Sequence, residues 1–146
     1  MVMPTTMGAE TVDELTQDMR DFLAEKRYAV LATIREDGRP QQTVMWYELV
    51  DDYLLMNTAR GRSKDGNIQR DARVSTCFED GYRYLTLEGQ AELVDDQQVA
   101  QADIKRLAVR YEGPEAGERM AAKTFSQQER VTIRLHIRHV IANGFE

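Results

Sequence analysis

Arg60, Arg62 and Lys64 fall within five positions of one another, with Ser63 between the last two. From Arg60 to Arg73 five basic residues stand against two acidic ones, a local charge of +3 in a chain whose formal total is −6. Guanidinium and ammonium groups make charge-assisted hydrogen bonds to phosphate oxygens, and free N–H groups at a helix start add to them. Such a cluster therefore suits a phosphate. The plainer alternative is a solvated loop whose charges only keep the surface wet. Three details weigh against it. Ser63 before a helical stretch reads as a cap that leaves N–H groups for an anion. Lys64 in the first turn opposes the helix dipole by about 0.3–1 kcal/mol unless an anion lies between them. The cluster also follows directly from the apolar run Tyr53 to Met56, read as a buried strand end. The corner is expected to be exposed without its ligand.

A second stretch with chemical potential is Gln41-Gln42-Thr43-Val44-Met45-Trp46-Tyr47. Strand alternation puts Gln42, Val44 and Trp46 on one face and Thr43, Met45 and Tyr47 on the other. For the side chains alone, Met45 and Trp46 read as ordinary core. The strand's backbone edge, however, offers the row of N–H and C=O groups and the apolar shelf that a flat ring requires.

Other chemistries fit the sequence poorly. No G-x-G-x-x-G occurs, and Gly61 and Gly66 have P-loop spacing but are followed by Asn67 and Ile68 instead of Lys and Ser/Thr. Gly61-Arg62-Ser63-Lys64-Asp65 lacks the last glycine of a nucleophile elbow. His136 and His139, three apart on a strand, are expected on opposite faces, so no metal site is assigned. No catalytic acid or base is assigned either. With 42% apolar and 30% charged residues the composition is that of a globular domain. No run approaches the roughly 20 apolar residues of a membrane helix. The acidic balance argues against broad nucleic-acid binding. A lone Cys77, with no leader pattern at the start, leads to the expectation of a reducing, cytoplasmic setting.

The elements that must position these residues follow from periodicity. Thr11-Val12-Asp13-Glu14 has capping-box spacing, which predicts a helix over about Thr11 to Lys26. Strands are expected at Tyr28 to Ile34, Pro40 to Val50, Tyr53 to Thr58, Arg73 to Glu79, Tyr82 to Val94 and from Val131 to Arg138. Asp37-Gly38, Asp51-Asp52 and Asp80-Gly81 mark turns between them. A short helix is expected at Ser63 to Arg70, a long one at about Asp95 to Tyr111, and a further piece after Gly113-Pro114 to about Phe125. Successive hairpins imply an antiparallel sheet or small barrel of about six strands with flanking helices, in one domain spanning 1–146 with a flexible start over about 1–10.

The succession Asp37-Gly38-Arg39-Pro40, Val44–Tyr47, Leu55-Met56-Asn57-Thr58, Ser63-Lys64, Asn67 to Ser75 and Leu87-Glu88-Gly89-Gln90-Ala91-Glu92-Leu93 resembles the pyridoxamine 5′-phosphate oxidase-like split β-barrel family. More narrowly it is similar to the flavin/deazaflavin oxidoreductase B group of F420-dependent enzymes. The resemblance implies a mainly β (α+β), six-stranded antiparallel split barrel of the FMN-binding type. It also implies a homodimer with cofactor at the subunit interface. Residue by residue, it implies phosphate binding by Lys64 and Thr58, cofactor contact by Asn57 and Tyr84, and a ring-lining strand over Gln42, Thr43, Val44, Met45 and Trp46. Gln41 matches a glutamine of the deazaflavin-binding relatives, and Arg60, Arg62 and Ser63 complete the expected set. Where the oxidase pattern has Arg-Lys this chain has Ser63-Lys64, and Gln42 replaces a basic residue. The expectation is therefore coenzyme F420, with FMN as the alternative, and hydride transfer to an unsaturated organic substrate. A non-catalytic F420 or haem carrier using His136 and His139 is the remaining alternative.

Overall fold

The structure, a computed structural model, describes residues 10–145, so the segment 1–9, expected as part of a flexible start, lies outside it. Strand β1 (Glu10–Val12) precedes helix α1 (Gln17–Ala24). The helix starts later than its capping-box signal: Thr16 is the cap, its Oγ1 accepting from the Met19 N–H at 3.3 Å. Thr11 and Val12 instead pair with Ile141 and Val140, because an open strand end offers them ladder hydrogen bonds.

Strand β2 (Ala29–Ile34) forms a hairpin with β3 (Pro40–Met45) around Gly38, whose φ of 88° is the left-handed conformation such a turn requires. The strand expected over Pro40 to Val50 breaks at Trp46-Tyr47, and β4 (Glu48–Val50) then pairs with β5 (Tyr53–Ala59). Helix α2 (Ser63–Arg70) leads to the hairpin of β6 (Arg73–Asp80) and β7 (Arg83–Val94). Helices α3 (Gln97–Glu112) and α4 (Pro114–Lys123), divided at Gly113, and a 3-10 turn (Phe125–Gln127) precede β8 (Arg130–Asn143). Among the described residues there are thus eight strands where six were expected: one expected strand is divided and β1 is added.

The antiparallel order is β3-β2-β6-β7-β8-β5-β4, with β1 on β8. Its two end strands, β3 and β4, are joined by only Trp46 and Tyr47, so the sheet must curl until its edges meet. No ladder closes β3 to β4, which leaves a barrel with a split. The split is plugged by α3. The Tyr47 N–H donates to Tyr111 Oη at 3.1 Å, Trp46 stacks on the Tyr111 ring at 5.3 Å and 10°, and Tyr47 Oη donates to the Leu23 carbonyl at 3.0 Å.

Phe22, Leu31, Tyr47, Phe78, Leu85 and Ile133 fill the interior. Strand β5 is buried on both faces. Leu54 and Met56 face the core, while Asn57 faces α3, donating to the Ala100 carbonyl at 2.9 Å. Along β7 and β8 the register slips between Glu88 and Gly89, leaving Arg138 as the extra residue of a bulge. A Cβ on Gly89 would lie 1.9 Å from the His136 carbonyl oxygen, so only glycine fits. The bulge also corrects the expectation for the histidines: His136 opposite Gln90 and His139 opposite Glu88 share one exposed face.

Candidate functional site

The end of β5, the start of α2 and the link after β3 converge on a cleft of about 260 Å³. Thr43, Val44, Met45 and Trp46 form one wall; Asn57, Thr58, Arg62 and Lys64 form the polar corner. Ile104 and Leu107 of α3 and Phe125 of the 3-10 turn add apolar cover, and Arg130 of β8 closes the corner. A larger groove of about 420 Å³ is lined by Asp13, Glu14, Asp52 and Arg20, and Arg20 is already paired with Asp52. Its carboxylates make it a poor host for an anion.

Within the cleft, the cations are unlike those of the rest of the chain. Lys64 is 7% exposed and Arg130 6% exposed. The expectation of an exposed Lys64 is thus corrected: the start of α2 lies close to the end of β5, and the ammonium is drawn in to donate to Thr58 Oγ1 at 3.3 Å. Among the described residues no carboxylate lies within ion-pairing distance of Lys64, Arg62 or Arg130. Burial, then the like charge of Arg62, holds Lys64 below its ordinary value, with Asp65 partly opposing and Arg130 adding to the depression. Burial and Arg62 also push Arg130 down, to about 10. At about 10, Arg130 stays charged at neutral pH. Two buried positive groups with only neutral partners form a corner that lacks a counter-anion.

The local backbone suits the same role. Arg62, not Ser63, occupies the cap position of α2 and makes no side-chain cap bond, so first-turn N–H groups are left without one. Ser63 is an exposed first helical residue, which corrects its expected capping role. Asp65, buried, accepts from the Gly61 N–H at 3.1 Å and so folds the loop back onto α2. Because β3 is an end strand, one row of its backbone N–H and C=O groups has no ladder partner within the described chain.

Several expected residues stand elsewhere. Arg60 is paired with Asp95 and Glu129, each at 2.9 Å, and does not line the cleft. Gln41 accepts from Asn67 Nδ2 at 3.1 Å beneath α2, and Gln42 is exposed on β3 outside the lining. Tyr84 pairs across β7 with Glu79 and Asn143, also outside the lining. His136 meets Glu92 at 2.9 Å and His139 lies 3.8 Å from Asp13. Among the described residues no three His, Cys, Asp or Glu side chains converge as a metal site would require.

Sequence reasoning did not find Arg130. By strand parity it belongs with Thr132 and Arg134 on the face expected to be wet. Helix α3 covers that face, and Thr132 is fully buried. The usable signal was long-range: Asn57 stands opposite Thr132 across the β5–β8 ladder, which places Arg130 beside the end of β5.

The family model for pyridoxamine 5′-phosphate oxidase matches residues 15–143. The chain belongs to the pyridoxamine 5′-phosphate oxidase family. Within it, the chain is 27% identical over 136 residues to an F420H(2)-dependent biliverdin reductase of Mycobacterium tuberculosis, covering 92% of each. The conserved hypothetical protein Rv2991 of Mycobacterium tuberculosis superposes with a TM-score of 0.76 at 29% identity, over 90% of this chain and 86% of that one. A structure described as an F420 reductase superposes with a TM-score of 0.70 at 27% identity, over 86% of this chain and 98% of the other. The family's antiparallel sheet with flanking helices is the fold found here. No helix among the described residues is long and apolar enough to cross a membrane.

Proposed function

We propose that this family member is an F420-dependent reductase that acts on an unsaturated organic substrate and works as a homodimer. The observation that carries the reading is the corner of buried cations that no carboxylate among the described residues ion-pairs, at the mouth of an apolar-walled cleft. F420 has both features such a cleft would complement, a flat ring and a phosphodiester arm. Relatives named as F420-dependent at 27% identity point the same way.

When bound, F420 supplies the hydride; the chain's own residues hold, orient and shield it. Lys64, Thr58 and Arg62 take the phosphodiester. Trp46 and Leu107 supply an apolar wall that keeps water from the ring. Trp46 is held in place by its stack on Tyr111. The free edge of β3 would offer backbone donors and acceptors to the ring's polar rim and so help orient it. At about 260 Å³ the cleft of one chain is smaller than the roughly 300–1,000 Å³ usual for drug-sized ligands, which supports a second wall from another copy. A second copy would supply it, docking at Val44, which is 64% exposed beside the cleft. A linear tetrapyrrole such as biliverdin is the first substrate to try, since the M. tuberculosis relative is named for it.

The test is a fluorescence titration of the purified chain with F420 and with FMN, followed by assay of reduced F420 against biliverdin, quinones and enones. Saturable F420 binding with turnover of one of these is expected. FMN binding far tighter than F420 would replace this reading with a flavin enzyme.

A further inference from the structure

Arg130 is the buried cation that nothing in the local sequence announces, and its surroundings are built to hold it. Its backbone is gripped from both sides by the Gln97 side chain: the Arg130 N–H donates to Gln97 Oε1 at 3.0 Å, and Gln97 Nε2 donates to the Arg130 carbonyl at 2.8 Å. Its guanidinium donates through Nε to Asn57 Oδ1 at 2.9 Å and through Nη1 to Gln128 Oε1 at 2.7 Å, and lies 4.8 Å from the centre of the Phe125 ring.

The Asn57 contact has a fixed direction. Its Nδ2 donates to the Ala100 carbonyl at 2.9 Å and to Thr132 Oγ1 at 3.3 Å, and Thr132 Oγ1 donates onward to Asp103 Oδ2 at 2.7 Å. The carboxylate orients the hydroxyl, the hydroxyl orients the amide, and the amide presents its oxygen to Arg130 Nε. Asp103 is thus kept a hydroxyl and an amide away from the guanidinium and makes no ion pair with it. Nη2 makes no hydrogen bond among the described residues, and Arg130 lines the cleft together with Lys64.

We propose that Arg130 and Lys64 together grip one phosphoryl group of the bound cofactor, with Asn57 and Thr132 as the residues that position Arg130. The inference rests on reading the cleft as a cofactor site, and it adds a binding residue from the far end of the chain. A rigid planar fork beside a point charge suits a tetrahedral oxyanion better than two mobile surface lysines would. The role first expected of Asn57, direct contact with the cofactor, becomes that of an adaptor whose polar atoms face inward.

The test compares dissociation constants, by fluorescence, for ligand pairs that differ at the phosphate: FMN against riboflavin, and F420 trimmed of its glutamates against the deazaflavin alcohol without a tail. Wild type, Arg130→Met, Arg130→Lys, Thr132→Val and Lys64→Met are measured, with thermal melts of each apoprotein. Arg130→Met is expected to cut the preference for the phosphorylated member about 10- to 100-fold, a scale set by one lost charge-assisted contact, while leaving the phosphate-free member within about threefold. Arg130→Lys recovers part of the preference, and Thr132→Val loses a smaller part of it. Equal losses on both members of a pair would make Arg130 a structural brace and overturn the proposal, as would an unchanged preference. Should Arg130→Met fail to fold, Arg130→Lys and Thr132→Val carry the same ratio test. An Arg130-dependent preference for FMN with no F420 binding keeps this proposal and removes the F420 reading. F420 binding indifferent to Arg130 does the reverse.

Discussion

The split between β3 and β4 and the end of β5 both bury polar groups, and they do so in opposite ways. At the split, Tyr47, Tyr111 and Trp46 fill the gap between β3 and β4. Each buried hydroxyl there finds a backbone partner: Tyr47 Oη at Leu23, Tyr111 Oη at Arg27. At the end of β5, Lys64 and Arg130 are as deeply buried, yet no carboxylate among the described residues meets them. The first place is satisfied by the chain itself and holds the fold. The second is left short of negative charge, which on the proposed reading a ligand completes. Arg60, four positions before Lys64, is the internal control: it has the same charge at the same corner, but two carboxylates take it up.

The sharpest contrast is with pH. Tyr47 is pushed up to about 12 by burial, reinforced by Tyr111. Between pH 10 and 12 the folded chain keeps a proton that the unfolded chain has lost, so stability present below pH 10 is lost as pH rises, by about 2–3 kcal/mol across that window. Chemical denaturation at pH 9, 10 and 11 should show the loss, and Tyr47→Phe should reduce it, leaving the share of Tyr111, whose hydroxyl burial also pushes up. Lys64 has the reverse sign. Its depressed value means that the unfolded chain binds more protons as pH approaches 10.5, so its share of apo stability rises with pH. Lys64→Met should flatten that rise.

Lys64→Ala is expected to weaken binding of the phosphate-bearing cofactor by about 1.5–3 kcal/mol, read by calorimetry, without lowering the apo melting point. Loss of affinity together with a lower melting point would mean that Lys64 belongs with the structural class of buried groups. Tyr111→Phe should do the opposite, costing about 1–3 kcal/mol of stability because the Tyr47 N–H and Arg27 carbonyl lose their partner. The smallest effect is at Arg60. Its pairs are half exposed, so Arg60→Ala should change stability by less than about 1 kcal/mol and cofactor affinity by less than twofold. A large loss of affinity there would erase the distinction between rim and corner.

Much of the barrel was readable because strand alternation and hairpin turns are local. Asp37-Gly38 and Asp80-Gly81 sit at hairpin turns, and Gly113-Pro114 divides two helices as its chemistry requires. The Thr11 box misled because a three-residue stretch can be claimed by a distant strand, and β8 claims it. The histidines misled because one bulge residue, Arg138, reverses strand parity between them. Of the site, Thr43 to Trp46, Asn57, Thr58, Arg62 and Lys64 were found and do converge on the cleft. Arg60, Gln41, Gln42, Ser63 and Tyr84 carry the right chemistry in a string of letters but stand outside its lining.

By itself the sequence determined most of the segments that become strands, the hairpin turns between them, and that a positive corner follows β5, since these depend on neighbours a few residues apart. It did not determine which of those positive charges would be left without a partner. That was decided when α3 covered β8 and β5, burying Arg130 beside Lys64 while the nearby carboxylates Asp95 and Glu129 were drawn to Arg60. Charge compensation is a long-range property, settled only when distant elements come into contact.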